Sequence, residues 1–295
     1  MSASWSPVRL GKSDLEVVPL GIASGYDLPG REVERAFERG VDFFYWGTAR
    51  RPDFGAAVRR LALKNRERMK IVIQSYARSG DSIGSSLDKA LAKLGLGYAD
   101  MLLLGWWNLP PHDAILDAAA DLVRRGRARK VMVSCHHRPT FPRLARDPRI
   151  DALMIRYNAA HPGAEKDVFP HLSEPRPGIV TYTTTSWGQL LDRALVPPGE
   201  RVPTATDCYR FALSNPNVNA CWAGAKNASE LDAALAALDA GPMSEDELAW
   251  MRRVGVAVRD ATGKATRVVG MNFADRVINL VSGFGFRATS DLPRE

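Results

Sequence analysis

Several signatures that would announce a common function class are missing from this 295-residue sequence. No uninterrupted apolar run reaches the roughly 18 residues that a membrane helix needs. The opening MSASWSPVRL lacks the apolar segment of a secretory signal. Cysteine is scarce: Cys135, Cys208 and Cys221 show no CxxC or zinc-ligand spacing and sit in apolar segments, so they read as small buried hydrophobes. No GxGxxG follows an apolar run, which argues against an open dinucleotide-binding sheet. Charge of one sign is not concentrated either. The net +7 is spread along the chain, with one short basic run at Arg124, Arg125, Arg127, Arg129 and Lys130. A nucleic-acid surface would need such charge on one face with aromatic platforms. The expectation is a soluble cytoplasmic protein, monomer or homodimer, with a small-molecule ligand and neither membrane, nucleic-acid nor metal partner.

What is present is a regular alternation. With 45% apolar and 25% charged residues the chain can bury a sizeable core. VRLGKSDLEVV reads as a hairpin turning at Gly11 and Lys12. After it come eight short apolar runs, LGIAS, VDFFYWG, MKIVIQSY, ADMLLLGWW, KVMVSCH, DALMIRYN, GIVTYTTTS and VNACWAG, separated by helical patterns such as PGREVERAFERG and AAVRRLALKNRER. Nearly continuous apolar strands suit a parallel sheet covered on both faces. Eight strand–helix units in about 250 residues predict an α/β fold of the closed (β/α)8 TIM-barrel type. One domain is expected, with a core over about 10–260 and a C-terminal helical extension over about 261–295. Ser244 and Glu247 form a capping box at the start of a late helix, SEDELAWMRRVGVAVRDA.

Several segments, in collinear order, resemble the aldo-keto reductase family from about Leu10 to about Asp260. LGKSDLEVVPLGIAS is similar to the family's LGxSGLxVSxLGLG opening, and AFERGVDFF to the segment that ends in FDTA. LGLGYADMLLL is similar to the segment that leads to a catalytic His. RKVMVSCH, IRYNAAHPGAEKDVFPHL and ALSNPNVNACWAGAKNASELDAALAAL match later segments. The resemblance implies carbonyl reduction with NADPH at the C-terminal ends of the strands. In the family an Asp, Tyr, Lys and His tetrad does the proton chemistry, by tuning a phenol to give up a proton near neutral pH.

That tetrad is absent here. The Asp position falls on Tyr45, the Tyr on Phe54, the Lys on Tyr76 and the His on Gly105. A phenyl ring carries no transferable proton, and a phenol without an adjacent cation titrates near about 10. Ordinary catalysis of that family is therefore not expected. On the cofactor side the resemblance implies that Ser134 meets the nicotinamide amide and Tyr182 stacks on its ring. Cys135, Met154 and Ala234 replace the family's Asn, Gln and Asn. Gly224, Ala225, Lys226 and Asn227 match a turn that would hold a 2′-phosphate at a helix N-terminus. The same turn also reads as a plain strand-to-helix connection capped by Asn227.

If the barrel forms, Tyr45, Trp46, Phe54, Tyr76, Trp106, Trp107 and His136 are expected at one mouth, with Arg50, Arg51, Arg78, Arg138 and Asn108 nearby. Such an aromatic pocket suits a flat or apolar ligand. Trp106 and Trp107 also read as loop-packing residues. His136 and His137 lack a third ligand at metal spacing, and His136 is the candidate general base. Three functions stay open. One is an atypical NADP(H)-dependent oxidoreductase using Tyr45, Tyr76 or His136 on a small carbonyl, alcohol or aromatic substrate. Another is a non-redox dehydratase, lyase or isomerase. The last is a non-catalytic, ligand-binding pseudoenzyme.

Overall fold

Each of the eight apolar runs folds as a strand, and together they close. The computed structural model describes residues 6–47 and 51–268. A short antiparallel hairpin comes first, β1 (Val8–Arg9) and β2 (Glu16–Val17). The alternation follows: β3 (Leu20–Ala23), α1 (Gly30–Glu38), β4 (Phe43–Trp46), α2 (Pro52–Asn65), β5 (Lys70–Ser75), α3 (Gly80–Leu94) and β6 (Ala99–Trp107). It continues with α4 (Asp113–Arg124), β7 (Ala128–Cys135), α5 (Phe141–Arg146), β8 (Ala152–Arg156), α6 (Ala164–Asp167) and β9 (Gly178–Tyr182). The last elements are α7 (Ala205–Leu213), β10 (Ala220–Ala223), α8 (Ala228–Ala240) and α9 (Glu245–Val268). Strands β3 to β10 form a closed parallel barrel, sealed where Cys221 of β10 pairs with Leu20 of β3. The expected (β/α)8 barrel and its N-terminal hairpin are both there. The C-terminal extension expected to 295 lies outside the described residues beyond Val268, as does Arg50.

Because side chains alternate along a strand, the barrel has two apolar layers. Phe43, Tyr45, Val72, Met101, Leu103, Met132, Met154, Val180 and Trp222 point inward. Phe44, Trp46, Ile71, Ile73, Leu102, Leu104, Val131 and Val133 point outward, under the helices. Both faces are buried, which is why the strands read as unbroken apolar runs. Leu10, Leu15 and Val17 of the hairpin join the inner cluster and close its N-terminal end. Each such fully buried side chain is worth about 1.5–3 kcal/mol relative to exposure.

Local chemistry sets the helix ends. Thr204 and Asp207 make a reciprocal capping box at α7. Asn227 accepts from the Glu230 N–H at α8 (2.9 Å). Ser244 and Glu247 cap α9 as the sequence predicts, at 2.8 and 3.3 Å. One helix differs from expectation: α2 starts at Pro52, not after Gly55. Proline lacks the N–H that a first helical turn leaves unpaired in any case, so RRPDFG supplies the helix start and not a loop.

Candidate active site at the C-terminal mouth of the barrel

Residues that face inward at the C-terminal strand ends form the mouth, where barrel folds carry their chemistry. Its floor is Tyr45, Gln74 and Trp222. The Tyr45 side chain is 8% exposed, and its ring centroid lies 5.3 Å from that of Trp222. Its hydroxyl donates to Gln74 Oε1. Burial pushes this phenol well above the ordinary tyrosine range, and Tyr76 adds to the effect while Trp106 partly offsets it. Tyr45 is thus a sealed structural group, not an accessible acid.

Gly105 explains how Gln74 fits. A Cβ at position 105 would fall 1.6 Å from Gln74 Nε2 and 2.4 Å from its Cδ. The Gln74 amide therefore fills the space that a side chain at 105 would take. Three expected tetrad positions can be placed from this geometry. Tyr45 and Gly105 both abut Gln74, and Tyr76 stands above them on the rim, 44% exposed. The fourth, Phe54, lies apart in the first turn of α2, buried in the outer layer.

Trp46 and Trp107 also belong to that outer layer and not to the mouth. Trp46 lies outward because Tyr45, its neighbour on the strand, points in, and its indole nitrogen packs on Gly55 of α2. At β6 the pairing with β7 shifts between Leu104 and Trp107, a bulge that reverses which face follows. Arg78 holds that bulge: its guanidinium donates to the carbonyls of Gly105 (3.0 Å) and Trp106 (3.1 Å) and stacks on Trp107 at 4.2 Å. Trp106, at φ 56°, turns instead toward the mouth, edge-on to Tyr76 at 6.3 Å. Of the aromatic set expected there, Tyr45, Tyr76 and Trp106 come together, and Trp46, Phe54 and Trp107 do not.

The opposite rim is polar. His136 follows β7, and its Nδ1 lies 3.5 Å from the Tyr182 hydroxyl. Burial, then the nearby Arg156 guanidinium, lowers the His136 pKa, so the ring is neutral at neutral pH. Beneath them Ser134 is fully buried and interacts weakly with the Tyr182 side chain, its Oγ meeting no partner in full hydrogen-bond geometry among the described residues. Arg156 ends β8 opposite Tyr182 in the strand register. Sequence reasoning missed it and Gln74. Strand parity held the signal: Arg156 stands two residues after inward Met154, and Gln74 two after inward Val72.

At the remaining edge, a Cβ on Gly224 would come within 3.0 Å of the Tyr26 ring, so the turn after β10 sits tight on Tyr26. Lys226 Nζ lies 5.2 Å above the same ring. Ala225 is buried, and Asn227 is the N-cap of α8. The Lys226 N–H is already donated to the Glu230 carboxylate (2.9 Å), which places a negative charge at this turn. Of the other expected donors, Arg51 pairs with Asp27 (2.5 Å), Arg138 with Asp167 (3.5 Å), and Asn108 is exposed. Among the described residues no three His, Cys, Asp or Glu side chains gather as a metal site, and no helix is long and apolar enough to cross a membrane.

No family model matches the chain. Solved structures do. The holo form of an aldo-keto reductase from Bacillus halodurans superposes with a TM-score of 0.75 at 17% identity, over 85% of this chain and 96% of that one. An aldo-keto reductase from Klebsiella pneumoniae in complex with NADPH gives 0.72 at 19% identity, over 86% and 96%. At such identities the likeness shows a shared fold.

Proposed function

Starting from an aldo-keto-reductase barrel whose tetrad positions are Tyr45, Phe54, Tyr76 and Gly105, we propose that this chain is a divergent oxidoreductase of that family. Its cofactor is NADP(H) and its substrate a small carbonyl or alcohol compound, and it works without the tetrad. The observation that carries the reading is Ser134. Its hydroxyl is buried beside the half-buried Tyr182 side chain at the mouth, with Tyr182 as its weak neighbour and no other partner in hydrogen-bond geometry among the described residues. A polar atom so poorly satisfied in a packed wall is costly, and a nicotinamide amide would complete its hydrogen bonding. The phosphate end fits less well. Lys226 supplies one cation at the turn after β10, but the Glu230 carboxylate opposes a 2′-phosphate there.

Bound nicotinamide would supply or take up a hydride. The chain's own part is proton transfer and positioning. Tyr45 is locked to Gln74 and sealed, and Phe54 is buried in the outer layer. The proton therefore passes to or from His136, which is exposed and neutral beside the Tyr182 hydroxyl. A neutral imidazole at pH near 7 acts as a base, so the favoured direction is removal of a proton from a substrate hydroxyl as its carbon is oxidised. Tyr76 and Trp106 form an aromatic wall against which a small substrate packs.

The test is a titration of NADPH fluorescence with the protein, followed by Ser134→Ala. Saturable binding that weakens in the variant supports the reading, and no binding at millimolar cofactor removes it. A second reading, a barrel that binds a ligand without turning it over, draws on the Gln74 amide. That side chain fills the position where the family resemblance places a catalytic His. Ligand recovered unchanged from a protein that also ignores nicotinamide would favour this second reading.

A further inference from the structure

Between the ends of β7 and β8 and the helices α5 and α6 lies a narrow cleft. Phe141, Ile155 and Val168 form its apolar depth, and His136, Arg138 and Arg156 stand at its opening. Two guanidinium groups reach this opening, and among the described residues one carboxylate, that of Asp167, is engaged there. Arg138 meets Asp167 at 3.5 Å, and its guanidinium rests on Gly163, where a Cβ would fall 1.9 Å from Nη1. The Arg156 side chain has no ion pair or hydrogen bond among the described residues, and its Nε is buried without a partner. The Arg156 guanidinium carbon lies 5.5 Å from the ring centroid of Trp187, which is 47% exposed. Neither neighbouring histidine supplies a negative charge. Glu165, the next carboxylate along the chain, is bound by both Nη atoms of Arg252 at 2.9 Å.

A partly buried guanidinium with no counter-ion is costly, because desolvation is not repaid. Its planar fork matches a carboxylate bidentately, and the flat Trp187 ring beside it leaves the fork's edge open. We propose that Arg156, supported by Arg138, is an anion subsite at the mouth that holds the carboxylate of a small organic-acid substrate. Naming the anion as the substrate's rests on the oxidoreductase reading above, whereas anion binding at Arg156 does not. The carboxylate sits at the opening of the cleft, on the Arg156 fork. The rest of the molecule lies across the mouth toward Tyr182 and Tyr76, with the reacting carbon within reach of His136.

The test measures binding of benzoate, acetate and inorganic phosphate by calorimetry at constant ionic strength. The proteins are the wild type, Arg156→Gln, Arg156→Lys and Gly163→Ala, the last chosen to displace Arg138. NADPH affinity is measured in parallel on each, and circular dichroism checks that each is folded. The expected result is saturable carboxylate binding that falls about tenfold or more in Arg156→Gln. Arg156→Lys recovers part of it, Gly163→Ala weakens it less, and NADPH affinity is unchanged throughout. No saturable carboxylate binding, or equal binding in Arg156→Gln, overturns the proposal. Tighter binding of phosphate than of carboxylates overturns the carboxylate assignment. Parallel loss of NADPH and carboxylate binding overturns it in favour of a cofactor-phosphate contact. Carboxylate binding through Arg156 in a protein that ignores NADPH keeps the anion subsite and overturns the redox reading alone.

Discussion

Replacing Gly105 by alanine should break the floor of the mouth. The added methyl would lie 1.6 Å from Gln74 Nε2, 2.4 Å from Cδ and 2.7 Å from Cγ, so the whole end of that side chain has to leave. When it leaves, the Tyr45 hydroxyl loses its acceptor inside a packed wall. Leaving such a group unpaired costs about 1–3 kcal/mol, and forcing extra volume into a filled core costs about another 1–3 kcal/mol. The expected loss is roughly 2–6 kcal/mol, read as a lower urea midpoint at unchanged slope. Gln74→Ala alone should cost only the lost hydrogen bond. In Gln74→Ala/Gly105→Ala the methyl enters vacated space, so the double variant should be no less stable than Gln74→Ala. The coupling between the two sites is then the whole cost of the single Gly105→Ala change, about 2–6 kcal/mol. If Gln74 can swing into the mouth at little cost, Gly105→Ala will be nearly neutral and the two changes additive. That result would refute the locked pair.

Two further perturbations test the charges around the mouth. Glu230→Gln keeps an acceptor for the Lys226 N–H and removes a negative charge, so NADPH should bind up to about fivefold tighter with NADH little changed; equal effects on both cofactors would place the 2′-phosphate elsewhere. His161 has its pKa pushed down to about 4 by burial, then by Arg156 and Arg138. Its folded value lies below the unfolded one of about 6.5, so protonation favours the unfolded chain: stability is intact above about pH 6.5 and is lost as pH falls toward about 4. The ring is partly exposed, so screening reduces the bare shift to about 1 kcal/mol. In urea unfolding His161→Gln should therefore lose less stability than the wild type between about pH 7 and about pH 4.5; identical acid slopes would refute the assignment.

Element types were legible in the sequence, while the facing of side chains was legible only in part. Eight apolar runs gave eight strands because each is buried on two sides, and that same property hid which residues look inward. In the run Phe43, Phe44, Tyr45, Trp46, all four are buried, and only the strand register separates Phe43 and Tyr45 inside from Phe44 and Trp46 outside. The bulge in β6 then reverses the parity between Leu104 and Trp107, so no counting from Ala99 could have placed Trp106 on the mouth and Trp107 away from it. Phe54 falls outside the expected helix AAVRRLALKNRER, whereas proline at the first position of a helix marks a beginning. The mouth itself was legible from strand order. Its working charge, Arg156, was passed over because an arginine in an apolar run draws less notice than the aromatic residues beside it.

The hairpin has a consequence for how this chain is made. It seats against residues that come much later: the Lys12 N–H donates to the Arg176 carbonyl (2.7 Å), and Asn219 Nδ2 reaches back 210 positions to the Arg9 carbonyl (2.9 Å). The first barrel strand likewise waits for β10 before its open edge is covered. A ribosome must therefore deliver three-quarters of the polypeptide before the hairpin finds the last of its partners, and until then the seat of Leu10, Leu15 and Val17 is incomplete. Such long sequence separations slow assembly and leave a half-made barrel with an unpaired edge. The closure that makes the finished protein single-mouthed thus makes its early fragments the sticky ones, and a chaperone's window opens at the start of the chain and shuts near its end.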